Sequence, residues 1–287
     1  MKLQRSTFQL LRLHFSFFLM PVYWFALSQV GDRDWPRAIL IFFILHILVY
    51  PASNGYNSYM DRDTSPIGGL KHPLQPTKQL FRLTVGMDLL ALLLGLLVSP
   101  WFTLGLGVYI LASRAYSYRG IRLKKYPIIG YLTVIICQGA LVFFLVFHGS
   151  QVHLSFEVPR EAMIASSLLV GGFYPLTQLY QHEADRKDGV KTISLLLGYR
   201  GSFIFTAIVY TLAFFLLAYS FISTLQIKEF EVLATCMLPV LVYFFIWASK
   251  VWKDPAQANF ANTMRMNLLA SVCINVGFII VTWMNTY

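Results

Sequence analysis

Nine long runs of apolar residues divide this chain, and they constrain its fold more than any other feature. A helix needs about 20 residues to cross a hydrocarbon layer of about 30 Å, and each run is close to that length. Backbone polar groups in lipid must find partners within their own segment, which favours helices. The runs cover approximately residues 13–30, 37–56, 80–99, 101–117, 127–147, 162–181, 202–224, 230–249 and 264–284.

The composition supports a lipid environment. The chain is 57% hydrophobic and 13% charged, whereas soluble domains usually carry about 25% charged residues. We therefore predict an all-α integral membrane protein. Its nine transmembrane helices would form a single bundle and a single domain over residues 1–287.

The positions of the basic residues predict the orientation in the membrane. If the N-terminus is cytoplasmic, only four of the 23 lysines and arginines fall in outer loops, namely Arg33, Arg37, Arg160 and Lys228. Cytoplasmic loops of membrane proteins are enriched in these residues. Topology thus accounts for the net charge of +10, and nucleic-acid binding is not needed to explain it. In a bacterium, this organisation would place the protein in the inner membrane.

Two acidic clusters follow apolar runs on the predicted cytoplasmic side. The first, "NGYNSYMDRD" at 54–63, follows the second run. The second, "HEADRKDGVKT" at 182–192, follows the sixth run. Their separation by four helices suggests two four-helix pseudo-repeats.

In the first cluster, Asn57 and Asp61 are four residues apart and share a helical face. Asp63 would lie on the opposite side if the helix continued. Pro66 disfavours helix at the residue before it, so we expect the chain to unwind near Asp63. Both carboxylates would then converge.

In the second cluster, Gln181, Asp185 and Asp188 follow one helical stripe. Glu183 lies off this stripe unless the helix frays. Carboxylate and amide oxygens are ligands that suit Mg²⁺, which usually takes one or two protein carboxylates and completes its shell with water and phosphate oxygens.

Two such clusters would hold Mg²⁺ around one diphosphate, and the neighbouring basic residues would contact its oxygens. The polar end of the bundle would bind the charged head of a substrate, and the apolar bundle would bind a hydrocarbon tail. This combination describes a prenyl diphosphate. Solvated loop charges that balance nearby lysines and arginines are the alternative interpretation.

The first cluster resembles a motif of the UbiA family of intramembrane prenyltransferases. That family carries N-D-x-x-D-x-x-x-D after its second helix, in a bundle of nine helices. "NSYMDRDTS" at 57–65 keeps Asn57 and Asp61, whereas Ser58 and Ser65 stand where the family has aspartates.

The second cluster resembles the D-x-x-x-D motif that the family carries after its sixth helix. Asp185 is in place, and Gln181 replaces the first aspartate. "KHPLQP" at 71–76 and the basic "YSYRGIRLKKYPIIG" at 116–130 are similar to two further family segments.

The resemblance implies Mg²⁺-dependent transfer of a polyprenyl group from its diphosphate to a small acceptor, most commonly an aromatic compound on a quinone or related lipid pathway. The active site would open to the cytoplasm. The residues in the implied roles are Asp61, Asp185 and Lys191 for catalysis; Asn57, Lys71, Arg119, Lys124 and Arg186 for the diphosphate; and Asp61, Asp63, Gln181, Glu183, Asp185 and Asp188 for the metal.

Two other classes of protein stay open at this stage. Because three of the family's aspartates are replaced, the chain would also suit a non-catalytic prenyl-lipid binder. A multi-span transporter is the other class, although transporters usually place their polar sites near the middle of the membrane.

One ionisable residue lies inside a predicted helix. Asp88 falls within the third run and has Arg114 as a candidate partner near the end of the fourth. Such residues are often functional, and a structural ion pair is an equal alternative.

Overall fold

The computed structural model describes residues 3–285, so the predicted domain ends at residues 1 and 287 lie outside the described residues. Within this range the chain forms nine long helices, two short 3₁₀ turns (Leu123–Lys125 and Pro255–Gln257) and no strands beyond two isolated bridges. The helices are α1 (Arg5–Ser28), α2 (Trp35–Asp61), α3 (Lys78–Gly95), α4 (Pro100–Ser117), α5 (Pro127–Ser150), α6 (Arg160–Lys187), α7 (Ile193–Ser223), α8 (Ile227–Lys253) and α9 (Phe260–Met284).

Each predicted run falls on one helix, so the all-α prediction is confirmed. In the described part of the chain, seven helices are long and apolar enough to cross a membrane. The other two, α3 and α4, have 18 residues each, and their status as spans stays a prediction. The main differences lie at the helix ends. The second and sixth runs end at 56 and 181, but their helices continue to Asp61 and Lys187, because polar residues extend the helix beyond the apolar layer.

Several helices contain irregular turns. Helix α1 breaks at Arg12, whose backbone is left-handed (φ 48°, ψ 47°), and continues as a 3₁₀ helix over Leu13–Leu19. Helix α2 contains a π-helical segment, Ile44–Val49. Pro51 follows this segment and has no N–H for the carbonyl four residues earlier, which places the wide turn just before it.

Helix α5 has a second π-helical segment, Ile135–Leu141, that packs closely on α6. The Ser167 hydroxyl of α6 donates to the carbonyl of Ile135 (3.0 Å) and accepts from the N–H of Ala140 (2.9 Å). It therefore satisfies backbone groups that the irregular turn frees, which is how such turns are tolerated inside a membrane. Gly139 faces the backbone of Ser167, where a Cβ would clash.

Three loops lie together at one end of the bundle and form what we call the polar face: 62–77, 118–126 and 188–192. The backbone N–H of Lys191 reaches the carbonyl of Lys125 (3.4 Å), joining the second and third loops. The Arg119 side chain reaches the end of α2. The ends of α2 and α6 are thus brought to one place.

Candidate metal and diphosphate site

Asp61 lies at the centre of the polar face. It is the last residue of α2, and Arg62 ends the helix with a left-handed backbone (φ 55°). The Asp61 side chain is only 4% exposed, and its Oδ2 forms an ion pair with the Lys124 ammonium. Its Oδ1 lies 3.7 Å from Arg122 Nη2, and in the described structure this buried oxygen accepts no hydrogen bond. A cation or a donor would fill that position.

Asp63 follows in the unwound chain, as predicted from Pro66. Burial raises the pKa of Asp63 to about 6. The negative charges of Asp61 and Asp188 act in the same direction, and the cations of Lys124 and Arg12 act against them. The Asp63 carboxyl therefore faces the other charges of the polar face.

The second acidic cluster meets the first across the basic loop 118–126. Asp185 accepts a hydrogen bond from the Thr192 hydroxyl (3.3 Å) and interacts electrostatically with Lys124, Asp61 and Asp63. Asp188 forms an ion pair with Arg122. Arg122 and Lys124 thus join the two predicted halves in this structure.

Some predicted residues lie beside this cluster and contact other groups. The Asn57 amide donates to the Ser117 hydroxyl (2.9 Å) and lines a neighbouring cavity. Arg119 donates to the backbone carbonyls of Met60 (2.7 Å) and Asp61 (3.3 Å). It stabilises the end of α2, where unpaired carbonyls attract a cation.

Other predicted residues are not brought into the cluster. The Glu183 side chain is 82% exposed and pairs with Lys187 at 3.4 Å, so its metal role gains no support from the structure. Gln181 is half-buried. Three predicted cations are exposed at the rim, namely Lys71, Arg186 and Lys191.

The acids fit a divalent cation only together with a ligand. Among residues 3–285, no three acidic, histidine or cysteine side chains lie close enough to hold a metal ion by themselves. Mg²⁺ needs only one or two protein carboxylates when phosphate and water supply the remaining oxygens. The Asp61 oxygen that accepts no hydrogen bond and the facing Asp63 and Asp185 agree with such a shared site.

Two arginines of the site were not assigned roles from the sequence. Arg122 pairs with both halves, and only its place in the basic loop hinted at this. Arg12 is buried, and its two Nη atoms donate to the carbonyls of Gly68 and Asn54, each at 3.2 Å. Its only signal was its place as the last of three basic residues, Lys2, Arg5 and Arg12, before the first apolar run.

A polar cavity of about 160 Å³ lies next to the charged cluster. Two of its tyrosines, Tyr116 and Tyr174, share a hydrogen bond between their hydroxyls. Its lining residues are Arg12, Ser53, Asn54, Asn57, Tyr109, Ser113, Tyr116, Ser117, Thr133, Val134, Cys137, Gln138 and Tyr174. Apart from Arg12, these side chains are uncharged hydrogen-bonding or apolar groups.

The raised pKa of Asp63 predicts a pH dependence. A carboxylate binds a cation only when deprotonated, so protons compete with Mg²⁺ as the pH falls through about 6. We expect the Mg²⁺ concentration for half-maximal diphosphate binding to increase as the pH is lowered from about 7.5 to about 5.5. The Asp63→Asn variant should bind more weakly and lose part of this dependence, because Asp185 is a second carboxylate of the site at which protons would compete with Mg²⁺. Equal pH profiles for both proteins would contradict the assignment.

These observations define a helical membrane protein with a charged site at one end of an apolar bundle. The sequence profile of the UbiA prenyltransferase family matches residues 18–269, and the chain belongs to this family of prenyltransferases. The prediction from the two motifs is thereby confirmed.

Individual relatives are more distant. The bacteriochlorophyll synthase 33 kDa chain of Cereibacter sphaeroides is 27% identical over 200 residues, which cover 63% of this chain and 65% of that protein. The match therefore spans slightly less than two thirds of the relative's length.

Solved structures share the fold. A UbiA homologue from Archaeoglobus fulgidus has a TM-score of 0.71 and 19% identity, over 96% of this chain and 99% of that chain. The same homologue bound to DMAPP and Mg²⁺ has a TM-score of 0.70 and 20% identity over the same shares.

Proposed function

We propose that this chain transfers a prenyl group from its diphosphate to an acceptor within the membrane, in a Mg²⁺-dependent reaction. The observation that carries the proposal is the meeting of Asp61 and Asp63 with Asp185 across Lys124. Family membership and the homologue bound to DMAPP and Mg²⁺ support it.

The residues that would hold Mg²⁺ are Asp61, Asp63, Asp185 and Asp188. Bound Mg²⁺ supplies positive charge for the departing diphosphate. Lys124 and Arg122 now neutralise these acids, and in the complex they would turn to the diphosphate oxygens. The exposed Lys71, Arg186 and Lys191 at the rim would attract the anionic head group.

The transfer breaks the bond between C1 of the prenyl group and the diphosphate oxygen, and the electron pair leaves with the diphosphate. The acceptor then forms a bond to C1 and releases a proton. The allylic cation that develops must be kept from water, and the apolar bundle provides that exclusion.

The cavity supports a single-ring aromatic acceptor. Its volume is about 160 Å³, and an engineered protein cavity of about 150 Å³ binds benzene. Hydroxyl and amide groups of Ser53, Asn57 and Gln138 line it and suit hydroxyl or carbonyl substituents. We therefore favour a phenolic precursor of a quinone or related lipid as the acceptor.

We also infer that the N-terminus and the polar face lie in the cytoplasm. The support is the concentration of lysine and arginine in the loops on this side. In a bacterium, the active site would open to the cytoplasmic side of the inner membrane.

The direct test is to supply the purified protein with Mg²⁺, labelled geranyl diphosphate and single-ring phenols such as 4-hydroxybenzoate. We expect a prenylated product. Binding of geranyl diphosphate without turnover would favour a non-catalytic prenyl-lipid binder. Flux of an unchanged compound into proteoliposomes would favour a transporter.

Filling the cavity should weaken binding of the acceptor and leave binding of the diphosphate nearly unchanged. Cys137→Phe places a ring in the cavity, and we expect it to raise the KM for the phenol about tenfold or more, equivalent to about 1.4 kcal/mol. Affinity for geranyl diphosphate should change little. Ile136→Phe is the matched control, because the neighbouring Ile136 is 54% exposed on the outside of the bundle. Equal effects of both variants would exclude this cavity as the acceptor site.

A further inference from the structure

Helices α2 and α4 are joined by two matched hydrogen bonds. The Ser113 hydroxyl donates to the Ser53 hydroxyl (2.9 Å), and the Asn57 amide donates to the Ser117 hydroxyl (2.9 Å). The bonded residues are four apart on both helices, so they share one face of each. Because both bonds must form at once, they set the register of α2 against α4.

Arg114 connects a third helix, α3, to this interface between α2 and α4. Its Nε donates to Asp88 Oδ2 (2.9 Å), and its Nη2 donates to the carbonyl of Thr84 (3.4 Å), both on α3. Its guanidinium carbon lies 4.0 Å from the centre of the Tyr56 ring on α2. One arginine side chain on α4 thus contacts both α3 and α2.

The contacts continue to the candidate site. Tyr56 directly precedes Asn57. Helix α2 ends four residues after Asn57, at Asp61. Beyond α4, Arg119 holds the carbonyl of Met60 (2.7 Å), and Lys124 pairs with the Asp61 carboxylate. Helix α4 and the loop that follows it therefore contact α2 from Ser53 to its C-terminal residue, Asp61.

Burying an ion pair between packed helices carries a desolvation cost. Buried pairs contribute little net stability, and apolar replacements of similar volume are often neutral or stabilising. The Asp88 side chain is 11% exposed and that of Arg114 is 17% exposed. What the pair adds over an apolar contact is direction, because a guanidinium fork has a defined geometry toward a carboxylate and a ring face.

We propose that the Asp88–Arg114–Tyr56 contact positions the end of α2, so that the Asp61 carboxylate faces the second acidic cluster. Asp88, Arg114 and Tyr56 act through α2 and do not touch the substrate. This role rests on the proposed prenyl transfer, because the contact would supply the geometry that the transfer site needs. An error of about 1 Å in such a site costs up to about 100-fold in rate.

Tyr56 allows a matched test. Tyr56→Phe keeps a ring face under the guanidinium, whereas Tyr56→Leu removes it. We expect Tyr56→Phe to keep kcat within about twofold and Tyr56→Leu to lower it about tenfold, with weaker binding of geranyl diphosphate in Mg²⁺. Calorimetric titration with geranyl diphosphate and thermal unfolding would be measured on each protein. If the contact only stabilises the fold, Tyr56→Leu will lower Tm and leave kcat and binding unchanged.

The double variant Asp88→Leu/Arg114→Met removes both buried charges together, so that neither is left unpaired. We expect a folded protein with a wild-type Tm that binds geranyl diphosphate about tenfold more weakly and turns it over more slowly. Wild-type binding and kcat in this variant would overturn the positioning role. A wild-type protein that binds geranyl diphosphate but transfers it to no acceptor would contradict the proposed function instead, and binding would still report on the positioning.

Discussion

Asp61→Ala and Asp185→Ala are each expected to lower kcat for prenyl transfer about 100-fold to 1,000-fold. The two carboxylates belong to different halves of the site and interact electrostatically across Lys124. Removing either one takes away a buried carboxylate from one half of the site, which weakens the hold on Mg²⁺ beside the diphosphate and shifts its position. The measurement is transfer of labelled geranyl diphosphate at saturating Mg²⁺, with binding measured in parallel.

Glu183→Ala is the matched control for these variants. Glu183 lies two residues before Asp185 but is 82% exposed and pairs with Lys187. We expect its removal to leave kcat within about twofold, since exposed ion pairs contribute about 0–1 kcal/mol. Unimpaired transfer by both Asp61→Ala and Asp185→Ala would rule out the proposed site.

Lys124→Met should have the second-largest effect, lowering kcat about 10-fold to 100-fold and weakening binding of geranyl diphosphate. The Lys124 ammonium pairs with Asp61 and interacts with Asp63 and Asp185. It is therefore placed to neutralise charge on the leaving group. Without it, the acids also repel one another and the diphosphate.

Lys125→Met provides the comparison for Lys124, because the adjacent Lys125 is exposed. A general loss of positive charge would affect both variants equally and would diminish with added salt. A specific role predicts a loss confined to Lys124. Kinetics at low and high ionic strength would separate the two.

Several features of the fold were predictable from local pattern. Hydropathy located all nine helices, because apolar length is a property of each segment alone. The unwinding near Asp63 followed from Pro66 in the same way. The irregular turns in α2 and α5 were not predicted, since their stability depends on partners such as Ser167 in another helix.

The site was predictable in part. The two motifs indicated Asp61 and Asp185, and the structure brings them to one end of the bundle. The spacing placed Glu183 off the helical stripe unless the helix frayed, and the structure has helix α6 continue to Lys187 and turn that side chain outward. Only the structure decided that the helix continues through this polar turn, because spacing assigns a face but does not fix where the helix ends.

The sequence by itself determined the helical membrane class and the two polar clusters, because apolar length and motif spacing are local properties of the chain. Only the tertiary structure decided which cations join these clusters. Arg122 and Lys124 reach both halves, since the packing of α4 on α2 brings their loop across the ends of α2 and α6. It also decided the role we propose for Asp88: the sequence offered Arg114 as its partner, but the further contact of Arg114 with Tyr56 depends on how three separate helices pack.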